Sequence, residues 1–146
     1  MSRENFIKLL ELGELWEERA ITELIKYYNN KYVLNSRCKD FRYDFILSNG
    51  IKYEVKFDGM SLQTGNIFIE FKQSNKLSGI SITNAKYYII ISPINNKEPY
   101  FIKIKVKILK KLIIDNKFHR VYDDGKKSGY LFKLDDIILS GIVING

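Results

Sequence analysis

The sequence predicts an α/β fold with a mixed central β-sheet flanked by helices, on three observations. Apolar residues recur at helical spacing over positions 4–29. Short segments of period-two alternation fill positions 41–72. A continuous apolar run at 87–92, Tyr-Tyr-Ile-Ile-Ile-Ser, has the composition of a strand buried on both faces.

At 146 residues the chain has the length of one domain, expected to span 1–146. It contains no run of about 18 apolar residues and no apolar segment of signal-peptide type near Arg3 and Glu4. A protein without membrane spans, unsecreted and cytoplasmic or otherwise intracellular, is therefore expected. Cys38 and His119 are each the only residue of their kind, which rules out an internal disulfide and leaves too few ligands for a zinc site. The net charge of +7 permits an anionic partner, but it comes mostly from lysines and carries little weight without their placement.

The first helix, whole or broken near Gly13, carries Phe6, Leu10, Ile21, Leu24 and Tyr28 on one stripe. At about 100° per residue, Glu17 lies at the centre of that stripe, Glu14 at its edge and Glu18 outside it. A carboxylate facing a core must be paired, hydrogen-bonded or bound to a cation, so Glu17 is the acid to explain; Glu14 and Glu18 remain register alternatives. Arg19 follows as a candidate phosphate contact. After a helix end at 29–31 and a short strand at 32–34, the loop at 36–40 puts Arg37 and Lys39 just upstream of Asp44.

In the segment 41–47, Phe41, Tyr43, Phe45 and Leu47 alternate with Arg42, Asp44 and Ile46, so Asp44 is expected to point away from the aromatic face. Ser48-Asn49-Gly50 then reads as a hairpin turn. The returning strand alternates Ile51, Tyr53, Val55 and Phe57 with Lys52, Glu54 and Lys56, which places Glu54 and Lys56 on one face. A long irregular loop leads to a third strand at 66–72, with Glu70 and Lys72 on one face. That second Glu-x-Lys competes with the first, but only Glu54 stands a tight hairpin away from Asp44; Glu70 is then an additional acid. Positions 74–84 hold the crossover to the strand at 87–92. Beyond it, Lys103, Lys105 and Lys107 alternate with Ile102, Ile104 and Val106 as a lysine face, either a phosphate track or the guard of a sheet edge. A short helix at 108–116, a hairpin pairing 118–122 with 130–134 and a closing strand at 141–144 complete the reading.

Two carboxylates on adjacent strands beside a lysine suit metal-assisted phosphodiester hydrolysis. Mg²⁺ or Mn²⁺ accepts one or two carboxylates together with water and phosphate oxygens, and a lysine offsets the charge that develops on the phosphoryl group. Asp44, nine intervening residues and Glu54-Val55-Lys56 resemble the core signature of the PD-(D/E)xK nuclease superfamily, with Tyr43 in place of the usual preceding proline. The resemblance covers roughly residues 13–91. It implies a restriction-endonuclease-like core, metal bound by Asp44, Glu54 and the backbone carbonyl of Val55, and catalysis assisted by Lys56. In the Holliday-junction-resolvase-like members a first-helix glutamate adds a ligand, a place that Glu17 fits.

The expected function is thus a Mg²⁺- or Mn²⁺-dependent endodeoxyribonuclease. Arg19, Arg37, Lys39, Lys72, Lys103, Lys105 and Lys107 are its candidate DNA contacts. With no appended recognition module, a homodimer selective for branched DNA is expected over a sequence-specific enzyme. Two rivals remain: a catalytically silent nucleic-acid-binding module of the same fold, and a metal-free interaction domain.

Overall fold

The computed structural model describes residues 2–38 and 42–146, apart from the side chains of residues 6, 9 and 10. The expectations for Phe6, Leu10, Lys39 and Phe41 lie outside what it describes. Helix α1 (Arg3–Tyr27) is one uninterrupted helix through Gly13, opened by Ser2, whose hydroxyl accepts the Asn5 N–H at 3.2 Å. Among its described side chains, Ile7, Leu12 and Leu15 are exposed, and Trp16 is the first to pack against the core.

Strands β1 (Leu34–Arg37), β2 (Phe45–Leu47) and β3 (Lys52–Phe57) follow, then a short helix α2 (Ser61–Thr64), β4 (Asn66–Gln73), β5 (Lys76–Leu77) and a 3₁₀ turn at Gly79–Ser81. The chain continues through β6 (Tyr87–Ile94), β7 (Lys97–Lys105), α3 (Val106–Ile114), β8 (Arg120–Asp123), β9 (Lys127–Lys133), α4 (Leu134–Ser140) and β10 (Ile142–Val143). The strands form two sheets. A six-stranded mixed sheet has the order β1-β2-β3-β6-β7-β10, and a four-stranded antiparallel sheet has the order β5-β4-β9-β8.

The parallel pair β3–β6 is the only parallel one among the described strands, and it requires a crossover. That crossover contains β4, the strand expected at 66–72, and β5, which forms within the stretch 74–84 expected as a plain connection. The strand at 66–72 does not extend the central sheet: it pairs with β9 and founds the second sheet. One sheet cannot bury both faces of a strand as apolar as β6 unless each face is covered. Here Ile89 and Ile91 pack with Ala20, Ile21 and Leu24 of α1, while Tyr88 and Ile90 pack with Ile67 and Ile69 of β4 and Phe132 of β9.

The hairpin at 48–50 forms as its composition dictates. Gly50 takes a positive φ of 78°, its N–H donates to Leu47 O at 2.9 Å, and the Asn49 side chain accepts the Ile51 N–H at 2.9 Å. Strand β2 is shorter than the alternation implies. Asp44 N–H still donates to Tyr53 O at 2.9 Å, but the next ladder donor, the Val55 N–H, is taken by the Asp44 carboxylate at 2.6 Å. The chain turns there, so Tyr43 packs against the cluster around Tyr88 and Ile90 instead of sharing a face with Phe45 and Leu47. Among the described residues no helix is long and apolar enough to cross a membrane.

Candidate active site

The early end of β2 exposes the edge of β3, and the acids gather at that edge. Residues two apart on a strand present their peptide groups to the same side. Tyr53 and Val55 both do so toward Asp44, so the Val55 carbonyl faces the gap left by β2. Asp44 sits in the gap, with Val55, Phe57 and, from α1, Gly13, Glu14, Trp16 and Glu17 around a cavity of about 330 Å³. A stacked contact between Trp16 and Phe57, ring centroids 4.5 Å apart, closes it on the helix side.

Glu54 alternates with Tyr53 and Val55 and therefore leaves β3 on the opposite face from α1. Its residue is only 5% exposed. The hydroxyl of Thr83, at the end of the crossover, shares its proton between the Arg42 carbonyl at 2.9 Å and Glu54 Oε2 at 3.2 Å, and Lys56 Nζ stands 3.8 Å from Oε1. The Lys56 side chain remains partly exposed at 37%, so its ammonium is accessible to a partner in solution.

The three acids share one electrostatic neighbourhood. Burial pushes the Asp44 carboxyl up from 3.8 to about 6, with Glu54 adding to the rise, while the Val55 N–H, Lys56 and Arg37 pull it back. Burial also raises Glu54, with a further push from Glu17, against the pull of Lys56 and Thr83. Glu17 is raised for the same first reason; Arg37 opposes the rise and Asp44 adds to it. Buried carboxylates whose charge is incompletely compensated are what a hard cation would relieve.

Glu17 is the helix acid that reaches this site, whereas Glu18 is mostly exposed and Glu14 lines the rim. Arg37 Nε bonds Glu17 Oε1 at 2.9 Å, and its Nη1 reaches Glu18 Oε1 at 3.4 Å. Arg37, expected on DNA, thus belongs to the acid cluster, and Glu17 is engaged by a guanidinium in this arrangement. Among the described residues no three acids, histidines or cysteines stand close enough together to hold an ion between them. The donors at this edge, the Asp44 and Glu54 carboxylates and the Val55 carbonyl, are all oxygens, the ligand type that Mg²⁺ and Mn²⁺ take.

The remaining candidates are dispersed. Glu70 accepts a hydrogen bond from Ser78 Oγ at 2.9 Å and lines a different cleft, reached from the site through Lys56. Lys72 lies beyond a bulge in the β4–β9 pairing. Arg19 is ion-paired with Glu98 and lies over the rings of Trp16 and Phe101, at 4.9 and 5.4 Å. The lysine face expected at 103–107 does not form. Lys103 is only 8% exposed, its Nζ donating to Tyr28 Oη at 3.0 Å and lying over the rings of Tyr27, Tyr28 and Tyr87. Lys105 ends β7, and Lys107 belongs to α3, because the strand stops at 105 and a helix starts at Val106. Two contacts escaped the sequence reading: the Arg37–Glu17 pair and the Thr83 hydroxyl on Glu54. Thr83 had a signal, since a hydroxyl-rich stretch without helical period had to bond something.

No protein-family model matches this chain, and no curated protein matches it in sequence.

Proposed function

We propose that the chain is a Mg²⁺- or Mn²⁺-dependent endodeoxyribonuclease built on a restriction-endonuclease-like core. The observation that carries this reading is the Asp44 carboxylate on the Val55 N–H at 2.6 Å, which fastens the aspartate to the peptide between Glu54 and Lys56. The order of elements supports it too: a helix, an antiparallel hairpin, then a crossover to a strand parallel to β3.

Asp44, Glu54 and the Val55 carbonyl supply the oxygens for the cation. When bound, the cation lowers the pKa of a water and offsets charge on the phosphoryl group. The Lys56 ammonium lies beside the same site and stabilises negative charge building on a phosphate oxygen. Thr83 holds Glu54 from behind. Arg37 holds Glu17 until a cation or substrate phosphate competes for one of the two.

The test is incubation of plasmid DNA, a synthetic four-way junction and its linear control with Mg²⁺, Mn²⁺ or EDTA. Metal-dependent cutting that disappears in Asp44→Ala and in Lys56→Ala, with folding unchanged, is expected. Full activity in either variant refutes the assignment. For the substrate we propose branched DNA cut by a homodimer, which pairs one site with each strand; a monomer cutting junction and linear duplex equally removes that part alone. The engagement of Glu17 by Arg37 and the absence of a three-acid cluster among the described residues favour one alternative, a silent nucleic-acid-binding module. It predicts salt-dependent DNA binding and no cleavage in any metal.

A further inference from the structure

On the side of the central sheet that carries Lys56, a cleft of about 490 Å³ opens between the two sheets. That is within the roughly 300–1,000 Å³ of clefts that enclose a small ligand. Its wall is aromatic: Phe68 on β4 meets Tyr122 on β8 edge to face, with ring centroids 5.7 Å apart. Its rim is cationic. Lys127 Nζ lies 5.3 Å from the Phe68 ring centroid, and neither it nor the exposed Arg120 has an ion-pair partner among the described residues.

The acids that line the cleft are already engaged. Asp58 accepts the Phe68 N–H at 2.8 Å and the Ser61 N–H at 3.1 Å, and Glu70 accepts the Ser78 hydroxyl. Tyr88 also lines the cleft, but it is 1% exposed and its hydroxyl stands beside Thr83 and Glu54.

The geometry points to a binding site for one unstacked nucleotide of a DNA strand. The base stacks on Phe68, with Tyr122 standing edge-on to that ring, and its phosphate lies between Arg120 and Lys127. The nucleotide belongs to a strand because Lys56 lines the cleft and also stands 3.8 Å from Glu54, which sets the neighbouring phosphate at the proposed catalytic lysine. This rests on the nuclease reading above. It deepens it by naming what the enzyme selects: a strand with an unpaired nucleotide, which costs less to unstack than a paired one.

The experiment measures fluorescence anisotropy of the full chain in EDTA with a labelled duplex carrying one bulged thymidine and with the fully paired duplex. The wild type is expected to prefer the bulged duplex by about 10-fold, the scale of one base–aromatic stack. Arg120→Ala with Lys127→Ala, at exposed positions, and separately Phe68→Leu, are expected to remove most of that preference. A thermal melt confirms that each variant is folded. Equal weakening of both duplexes, or no preference in the wild type, overturns the inference. Free dTMP, titrated with NMR detection, is expected to bind the cleft weakly; saturation by dTMP without a bulge preference overturns the assignment to a strand. Cleavage in Mn²⁺ is scored separately. A preference that survives in a chain that cuts nothing supports the cleft and refutes the nuclease, and cleavage that continues in the cleft variants is expected on linear duplex.

Discussion

Replacing Asp44 by asparagine should abolish cleavage and, in the absence of metal, stabilise the fold. The Asp44 carboxyl is raised from 3.8 to about 6, chiefly by burial, so the folded protein holds this proton more tightly than the unfolded chain does. Between pH 4 and 6 the folded state binds more protons, and stability therefore falls as pH rises through that window and levels off above it. At about 1.4 kcal/mol per pH unit, ionised Asp44 costs the metal-free protein about 3 kcal/mol near pH 7.5. Asparagine is neutral at every pH and keeps an oxygen for the Val55 N–H. For a chain of this size the gain corresponds to an increase in Tm on the order of 10 °C at pH 7.5, shrinking toward zero near pH 4. The assay is a pair of circular-dichroism melts in EDTA at pH 4.5 and 7.5, with plasmid cleavage in Mn²⁺ alongside. A variant less stable than wild type at pH 7.5, a gain independent of pH, or retained cleavage would refute the reasoning.

Mn²⁺ should raise the Tm of the wild type more at pH 7.5 than at pH 5.5, because protons compete with the cation for carboxylates whose pKa values are raised; a thermal-shift titration checks this, and Asp44→Asn should lose most of the response. Thr83→Val removes the hydroxyl that Glu54 and the Arg42 carbonyl share and that accepts the Ala85 N–H, while keeping the side-chain shape, and should lower cleavage about 10-fold and raise the Mn²⁺ concentration needed, with Thr83→Ser restoring both. Lys103→Ala empties the tyrosine cage and should cost about 2–3 kcal/mol in urea unfolding while leaving the cleavage rate of the folded protein unchanged. Gly79→Ala should cost about 3 kcal/mol in the same assay. Gly79 has a φ of 51°, and an added Cβ would run into the Glu70 carbonyl, disturbing the turn that leads to Thr83.

Local pattern made several features legible. The helix stripe singled out Glu17, which reaches the acid cluster, because helical geometry alone decides which residues share a face. Asn49-Gly50 between apolar runs fixed the hairpin, and the length of that hairpin brought Asp44 beside the strand of Glu54 and Lys56. The apolar run in β6 revealed a central strand, since only a strand covered on both faces can be apolar at every position.

Partner choice was decided by the tertiary structure. Strand β4 has the alternation of a sheet strand, but alternation does not say which strand lies beside it; its pairing with β9, some sixty residues away, created the second sheet and the cleft. The lysines at 103–107 alternate correctly, yet Tyr27, Tyr28 and Tyr87 close over Lys103 and a helix begins at Val106. Arg37 was placed near the site by sequence, but its pairing with Glu17 required α1 and β1 to meet in space. Period and turn chemistry are properties of neighbours along the chain and can be read there. Which charges are compensated, and which faces are covered, depends on contacts between distant segments, and those are fixed only when the whole core is packed.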